Sequence, residues 1–150
     1  YDADKEVFAR VANGELPLVV EVHRTAELRN LLEATAKFNR LRMVIAGGTE
    51  AAPFAKQLAA RNISVIVNPS PIGEGAFDEF DGYDVSLAAA LAEEEVTVLI
   101  GSGGRSAGAS RDLSLLAAMA VGGGLEREHA LAAITSGPAK VFGLTSHGRS

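Results

Sequence analysis

The run Arg42-Met43-Val44-Ile45-Ala46-Gly47-Gly48-Thr49-Glu50 passes from an apolar stretch over 43–46, with β-branched Val44 and Ile45 at its centre, to a glycine pair and then to polar side chains. An apolar run of that length predicts a core strand over 42–46. The glycines predict a sharp exit, and Thr49 is placed to cap a helix that carries Pro53 in its first turn and Phe54 and Leu58 one turn apart. The same passage occurs three more times. Residues 16–22 lead to His23-Arg24, 63–67 lead to Asn68-Pro69-Ser70, and 96–100 lead to Gly101-Ser102-Gly103-Gly104. Polar and glycine-rich residues therefore gather where strands end.

Helical patterns fill the intervals. Spacing and end signals predict helices over 4–12, over 25–39 with Thr25 as its N-cap and Leu28, Leu31, Leu32, Thr35 and Phe38 on one face, and over 85–92. A helical tail follows over 112–121, 125–135 and 138–142, punctuated by Gly122-Gly123-Gly124 and Gly137-Pro138. Strands that alternate with helices require right-handed crossovers and a parallel sheet. Runs such as Val65-Ile66-Val67 suit strands covered on both faces. The fold class is thus α/β: a (β/α)4 half of a TIM-like barrel with a helical carboxyl tail. Four strands alone leave two open edges. Residues 68–82 hold Gly73, Gly75 and Gly82 with Glu74, Asp78, Glu79 and Asp81, and predict a long, mobile loop.

Bulk properties narrow the class further. A chain of 150 residues is one ordinary domain, and its 47% hydrophobic and 22% charged residues suit a globular protein. A net charge of −5 with scattered basic residues speaks against nucleic acid as a partner. With no cysteine, thiolate nucleophiles and thiolate metal sites are excluded. The longest apolar stretches, such as 113–121, are short of a membrane span, and no signal peptide is evident, so the expectation is a soluble protein of cytoplasm or periplasm. The first residue is Tyr1 rather than Met, which suits a processed product or an excerpt of a longer protein.

The segments 16–24 and Val44-Ile45-Ala46-Gly47-Gly48-Thr49-Glu50-Ala51, with Ile100-Gly101-Ser102-Gly103-Gly104, resemble the carboxyl-terminal half of the metal-dependent amidohydrolase superfamily, in its imidazolonepropionase-like branch. Ser110-Arg111-Asp112-Leu113 and residues 133–144 are similar to the helices that close that barrel. The resemblance covers nearly the whole chain. It implies that residues 1–150 form one half-barrel domain holding strands five to eight. The first four strands would precede Tyr1, and a small β-sandwich would follow Ser150.

The resemblance also implies where a metal would be held. In that family a His ending strand five, a His ending strand six and an Asp ending strand eight complete a site begun by a His-x-His pair on strand one. Neutral imidazoles and a carboxylate hold the ion, and the carboxylate takes a proton from the bound water. Here those positions fall on Glu21, on Gly47 or Gly48, and on Gly103. Zinc is therefore expected only if residues outside this chain complete the site, and no cofactor is expected for the chain alone.

Read from the residues themselves, Glu21 and His23 lie two apart on a strand and point to one side. If Val20 and Val22 face the helices, the pair projects into the barrel mouth, as metal ligands or as a carboxylate-oriented general base. A structural salt bridge at Glu21 and a capping or loop role for His23 is the competing reading, and with no third ligand it is favoured. Gly101, Ser102, Gly103 and Arg105 follow a strand and could cradle an anion. Ser106 breaks a G-x-G-x-x-G spacing and no Lys follows, so a plain strand-to-helix connection is favoured there too. His129 and His147 read as solvated surface residues.

Two functions remain. One is an amidohydrolase-like barrel half, acting on C–N bonds of small or cyclic amides only with its missing half. The other is a non-catalytic module for small-ligand or anion binding, or for assembly. The expected partners are a second copy or the missing barrel half, and a small-molecule amide or anion.

Overall fold

Val20, Ile45, Val65 and Val98 stand level across four neighbouring strands, one apolar residue from each. The strands are β1 (Leu18–Val22), β2 (Met43–Gly47), β3 (Ser64–Val67) and β4 (Val98–Ile100). They pair in chain order, all parallel, in the computed structural model, which describes residues 3–70, 84–103 and 109–144. The four-stranded parallel sheet with intervening helices is the half-barrel expected from the sequence.

The helices are α1 (Ala3–Ala12), α2 (Thr25–Ala34), α3 (Ala55–Ala60), α4 (Leu87–Glu93), α5 (Leu113–Gly122), α6 (Arg127–Ile134) and α7 (Ser136–Val141). Leu28 and Leu32 of α2, Leu58 of α3 and Leu91 of α4 join Met43, Ile45 and Val65 in one buried apolar cluster, with Val20 and Val22 packed against it. In the central strand β2, Met43, Val44 and Ile45 are all buried, which is why that run shows no polar alternation. Strand β1 does alternate, with Val19 48% exposed, as suits a strand at the sheet's edge. No helix among the described residues is long and apolar enough to cross a membrane.

Four local readings change. Arg24 and not Thr25 stands at the N-cap of α2, because Thr25 is already the first helical residue and its hydroxyl donates to Glu50 at 2.7 Å. Helix α2 stops at Ala34 rather than running to residue 39. The Thr35 hydroxyl donates to the Leu31 carbonyl at 2.7 Å, and the Arg61 guanidinium donates to the Leu32 carbonyl at 2.9 Å and to the Thr35 carbonyl and hydroxyl at 3.0 Å. A cation on the last carbonyls satisfies the helix end and complements its dipole. Thr49 does not cap a helix. A 3-10 turn, Ala52–Phe54 with Pro53 at its start, leads into α3, and the Thr49 hydroxyl is engaged elsewhere. Gly137-Pro138 does not break the tail but lies in the first turn of α7, where a missing N–H costs nothing; the break falls at Thr135.

Helices α3 and α4 end alike. Asn62 (φ 52°) and Glu95 (φ 62°) turn the chain left-handed. The next residue's N–H then reaches back, Ile63 to the Leu58 carbonyl at 2.9 Å and Val96 to the Leu91 carbonyl at 3.1 Å. That closure sends each helix directly into the following strand. Most of residues 68–82, expected to be a long loop, lie outside the described residues, as do Arg105 and His147.

Candidate functional site at the strand exits

Parallel pairing puts the carboxyl ends of β1 to β4 side by side, so His23, Gly47, Asn68 and Gly101 leave the sheet along one edge. The exits of β1 and β2 are tied together through the backbone. The Gly48 N–H donates to the Val22 carbonyl at 2.7 Å and the Glu50 N–H to the His23 carbonyl at 2.9 Å. Two carboxylates complete the junction. Glu27 accepts the N–H groups of His23 (3.1 Å) and Arg24 (3.2 Å), and Glu50 accepts the Thr25 N–H (2.6 Å) and hydroxyl (2.7 Å). Donors that would otherwise be orphaned at the start of α2 are thereby satisfied.

Both carboxylates consequently ionise more readily than usual. Glu27 is lowered by the backbone donors of His23 and then Arg24, and Glu50 by the Thr25 hydroxyl and then its N–H. A carboxylate whose pKa is depressed on folding adds stability that is complete above its unfolded pKa and is lost as pH falls through the folded one. Acid denaturation should therefore steepen below the ordinary carboxylate range. Glu27→Gln and Glu50→Gln together are expected to lower stability at neutral pH and to flatten that acid limb in denaturation curves recorded across pH. An unchanged limb would show that other groups govern it.

Glu21 and His23 are brought together. Val20 and Val22 pack on the helical side, and Glu21 Oε1 lies 3.7 Å from His23 Nε2. The Glu21 side chain is 71% exposed and the His23 side chain 27%. The other ring nitrogen, Nδ1, is 2.8 Å from Thr49 Oγ1. Thr49 is a partner that local sequence pattern assigns to a helix cap instead. The signal for it lies in the register, because Val22 pairs with Gly47 and so sets residue 49 beside residue 23.

Beneath the imidazole lies Gly47, with φ 89°. A Cβ built there would fall 2.8 Å from both ring nitrogens and would meet Cε1 more closely still. The ring forms one wall of a cleft of about 80 Å3 that Thr49, Asn68, Pro69 and Asp84 also line. Asn68 Oδ1 accepts the Ser70 N–H at 3.1 Å, and Asp84 Oδ1 accepts the Ser86 N–H and hydroxyl at 2.8 and 2.6 Å. At the β4 exit, Gly101 and Ser102 are half-buried and Gly103 is exposed, with its φ of 80° and the Asn68 amide as its neighbour. Arg105, the remaining member of the anion-cradle set, lies outside the described residues. His129 is exposed on α6 and pairs with Glu126 at 3.7 Å.

Among the described residues, these donors fall short of the catalytic metal site that the resemblance implies. Such an ion takes three or more side-chain ligands. The β1 exit offers Glu21 and His23, while the β2 and β4 exits offer Gly47 and Gly103. Among the described residues no group of three or more His, Asp or Glu could hold a metal.

Four parallel strands in chain order, with helices between them and polar groups at their carboxyl ends, define half of a (β/α)8 barrel. The comparison with solved structures likens this fold to part of an amidohydrolase. The chain is similar to an amidohydrolase from Thermotoga maritima MSB8, at 26% sequence identity and a TM-score of 0.83, over 96% of this chain. It spans 37% of that protein's length. No protein-family model matches the sequence, and no curated protein matches it.

Proposed function

We propose that this chain is the carboxyl-terminal barrel half of a metal-dependent, imidazolonepropionase-like amidohydrolase scaffold, with its metal positions degenerate, so that it is not catalytic by itself. One observation carries the reading. The fold is kept across 96% of the chain, whereas glycine stands at two of the three strand exits from which family ligands would come. Loss confined to chemical positions supports a scaffold kept for packing.

After dialysis, elemental analysis is expected to find less than stoichiometric zinc, and lactams and amides to be hydrolysed no faster than background. Stoichiometric zinc that disappears in both Glu21→Ala and His23→Ala would make those residues ligands and overturn the proposal. The cleft beside His23 supports a second reading, a small-ligand module. An amide or anion that protects the metal-free chain against thermal unfolding would favour it.

A partner belongs to either reading. Strand β1 is an edge strand with a half-exposed valine, and an open parallel edge seeks another strand. We propose that a second copy or the complementary barrel half covers it. Light scattering at micromolar concentration is expected to find a dimer or larger assembly of the chain alone; a stable monomer would exclude the self-paired form and require a different partner.

A further inference from the structure

We propose that Thr49 positions the His23 imidazole as a wall of the strand-exit cleft, in a volume that His23 and any side chain at position 47 cannot share. The inference rests on the geometry of the β1 and β2 exits and not on whether the chain is catalytic. His23 is fixed at its backbone on both sides, its N–H donating to Glu27 at 3.1 Å and its carbonyl accepting the Glu50 N–H at 2.9 Å. The ring can leave only by rotating about its side-chain bonds, and rotation gives up the 2.8 Å contact with Thr49 Oγ1. A Cβ at 47 would lie 2.8 Å from both ring nitrogens, a separation that packed atoms do not tolerate. Turned inward, the imidazole shapes the 80 Å3 cleft; turned outward, it would leave the cleft open toward Gly47.

Gly48 supplies an internal control. It too has a left-handed backbone, φ 58° against 89° at Gly47. A Cβ there would meet Val65 Cγ1 at 3.0 Å and Ala51 and Ile45 methyl carbons at 3.4 Å, with no atom of His23 among its nearest neighbours. Alanine at either position suffers the left-handed strain. Only alanine at 47 should also collide with the ring.

The test measures the unfolding equilibrium of Gly47→Ala and Gly48→Ala, each with His23 present and in a His23→Ala background. The penalty of Gly47→Ala is expected to shrink by about tenfold in the equilibrium constant when His23 is removed, as for residues that compete for one site. That of Gly48→Ala should not change with His23. Equal Gly47→Ala penalties in the two backgrounds would overturn the proposal. In parallel, the His23 Nδ1 nitrogen resonance is expected to shift in Thr49→Val and return in Thr49→Ser. A resonance unmoved by Thr49→Val overturns the positioning role. Should Gly47→Ala fold only without His23, that is the expected result in its strongest form; should it fold in neither background, the Nδ1 resonance decides.

Discussion

Replacing Ile45 by alanine is expected to lower stability by about 2–5 kcal/mol, as large an effect as one core truncation produces. Ile45 is fully buried at the centre of β2, level with Val20 on one side and Val65 on the other. The truncation removes transfer energy and leaves a cavity that strands held on both sides cannot collapse into. It also puts a weak strand former at the middle of the sheet. Against a typical total of about 5–15 kcal/mol, this corresponds to a melting temperature lower by about 4–20 °C for a chain of this size. Val19→Ala, on the exposed part of the edge strand, is the control and should cost far less. Chemical denaturation of the two variants checks the register directly: equal losses would mean that Ile45 does not occupy the core position described.

The second large effect is expected within Gly122-Gly123-Gly124, where the neighbouring glycines 122 and 123 should respond in opposite ways. Gly123 has an ordinary φ of −83°, so its backbone is open to any residue. Its difficulty is space, because a Cβ there would run into the Val85 carbonyl, lying 2.6 Å from its carbon. That neighbour is backbone at the entrance to α4 and cannot swing aside. Gly123→Ala is therefore expected to cost about 1–3 kcal/mol by overpacking. At Gly122, the last residue of α5, nothing lies within 4 Å of the added carbon. Gly122→Ala should be neutral or stabilising by up to about 1 kcal/mol, since it restricts the unfolded chain. Thermal unfolding of the two alanine variants separates them; a harmless Gly123→Ala would mean that α5 and the start of α4 are not in contact as described.

How much of this fold is legible in the sequence depends on distance along the chain. The four strands can be read because each is a short apolar run ended by glycine or polar residues, a pattern that parallel pairing and two-sided burial impose locally. Their starts read one to two residues early, because Leu16 and Pro17, Arg42, Ile63, and Val96 and Thr97 are apolar or adjacent to apolar residues yet precede the first residues of the strands. The early stop of α2 is not legible. Its cause, Arg61, sits 26 residues beyond Thr35, and no helical periodicity announces a guanidinium arriving from another element.

The site divides in the same way. The pairing of Glu21 with His23 follows from the two-residue period of a strand, so the local pattern alone reveals it. The contact of His23 with Thr49 spans 26 residues and depends on register, which single-strand patterns do not carry. Threonine after a glycine pair is a common helix start, and at Thr49 that local preference loses to a ring nitrogen 2.8 Å away. The glycines at 47 and 103 can be placed at strand exits from sequence, but their surroundings cannot.

Glu21 has one more consequence, for the behaviour of the protein in concentrated solution. It is the sole charge in the edge strand Leu18–Val22, and its carboxylate is largely exposed there. A charged residue on an otherwise apolar edge is a gatekeeper against strand-to-strand aggregation. Exchanging it for alanine leaves an uninterrupted apolar ribbon from Leu16 to Val22, so Glu21→Ala changes colloidal behaviour as well as ligand chemistry. Glu21→Lys, which keeps a charge on the edge but removes the carboxylate, separates the two.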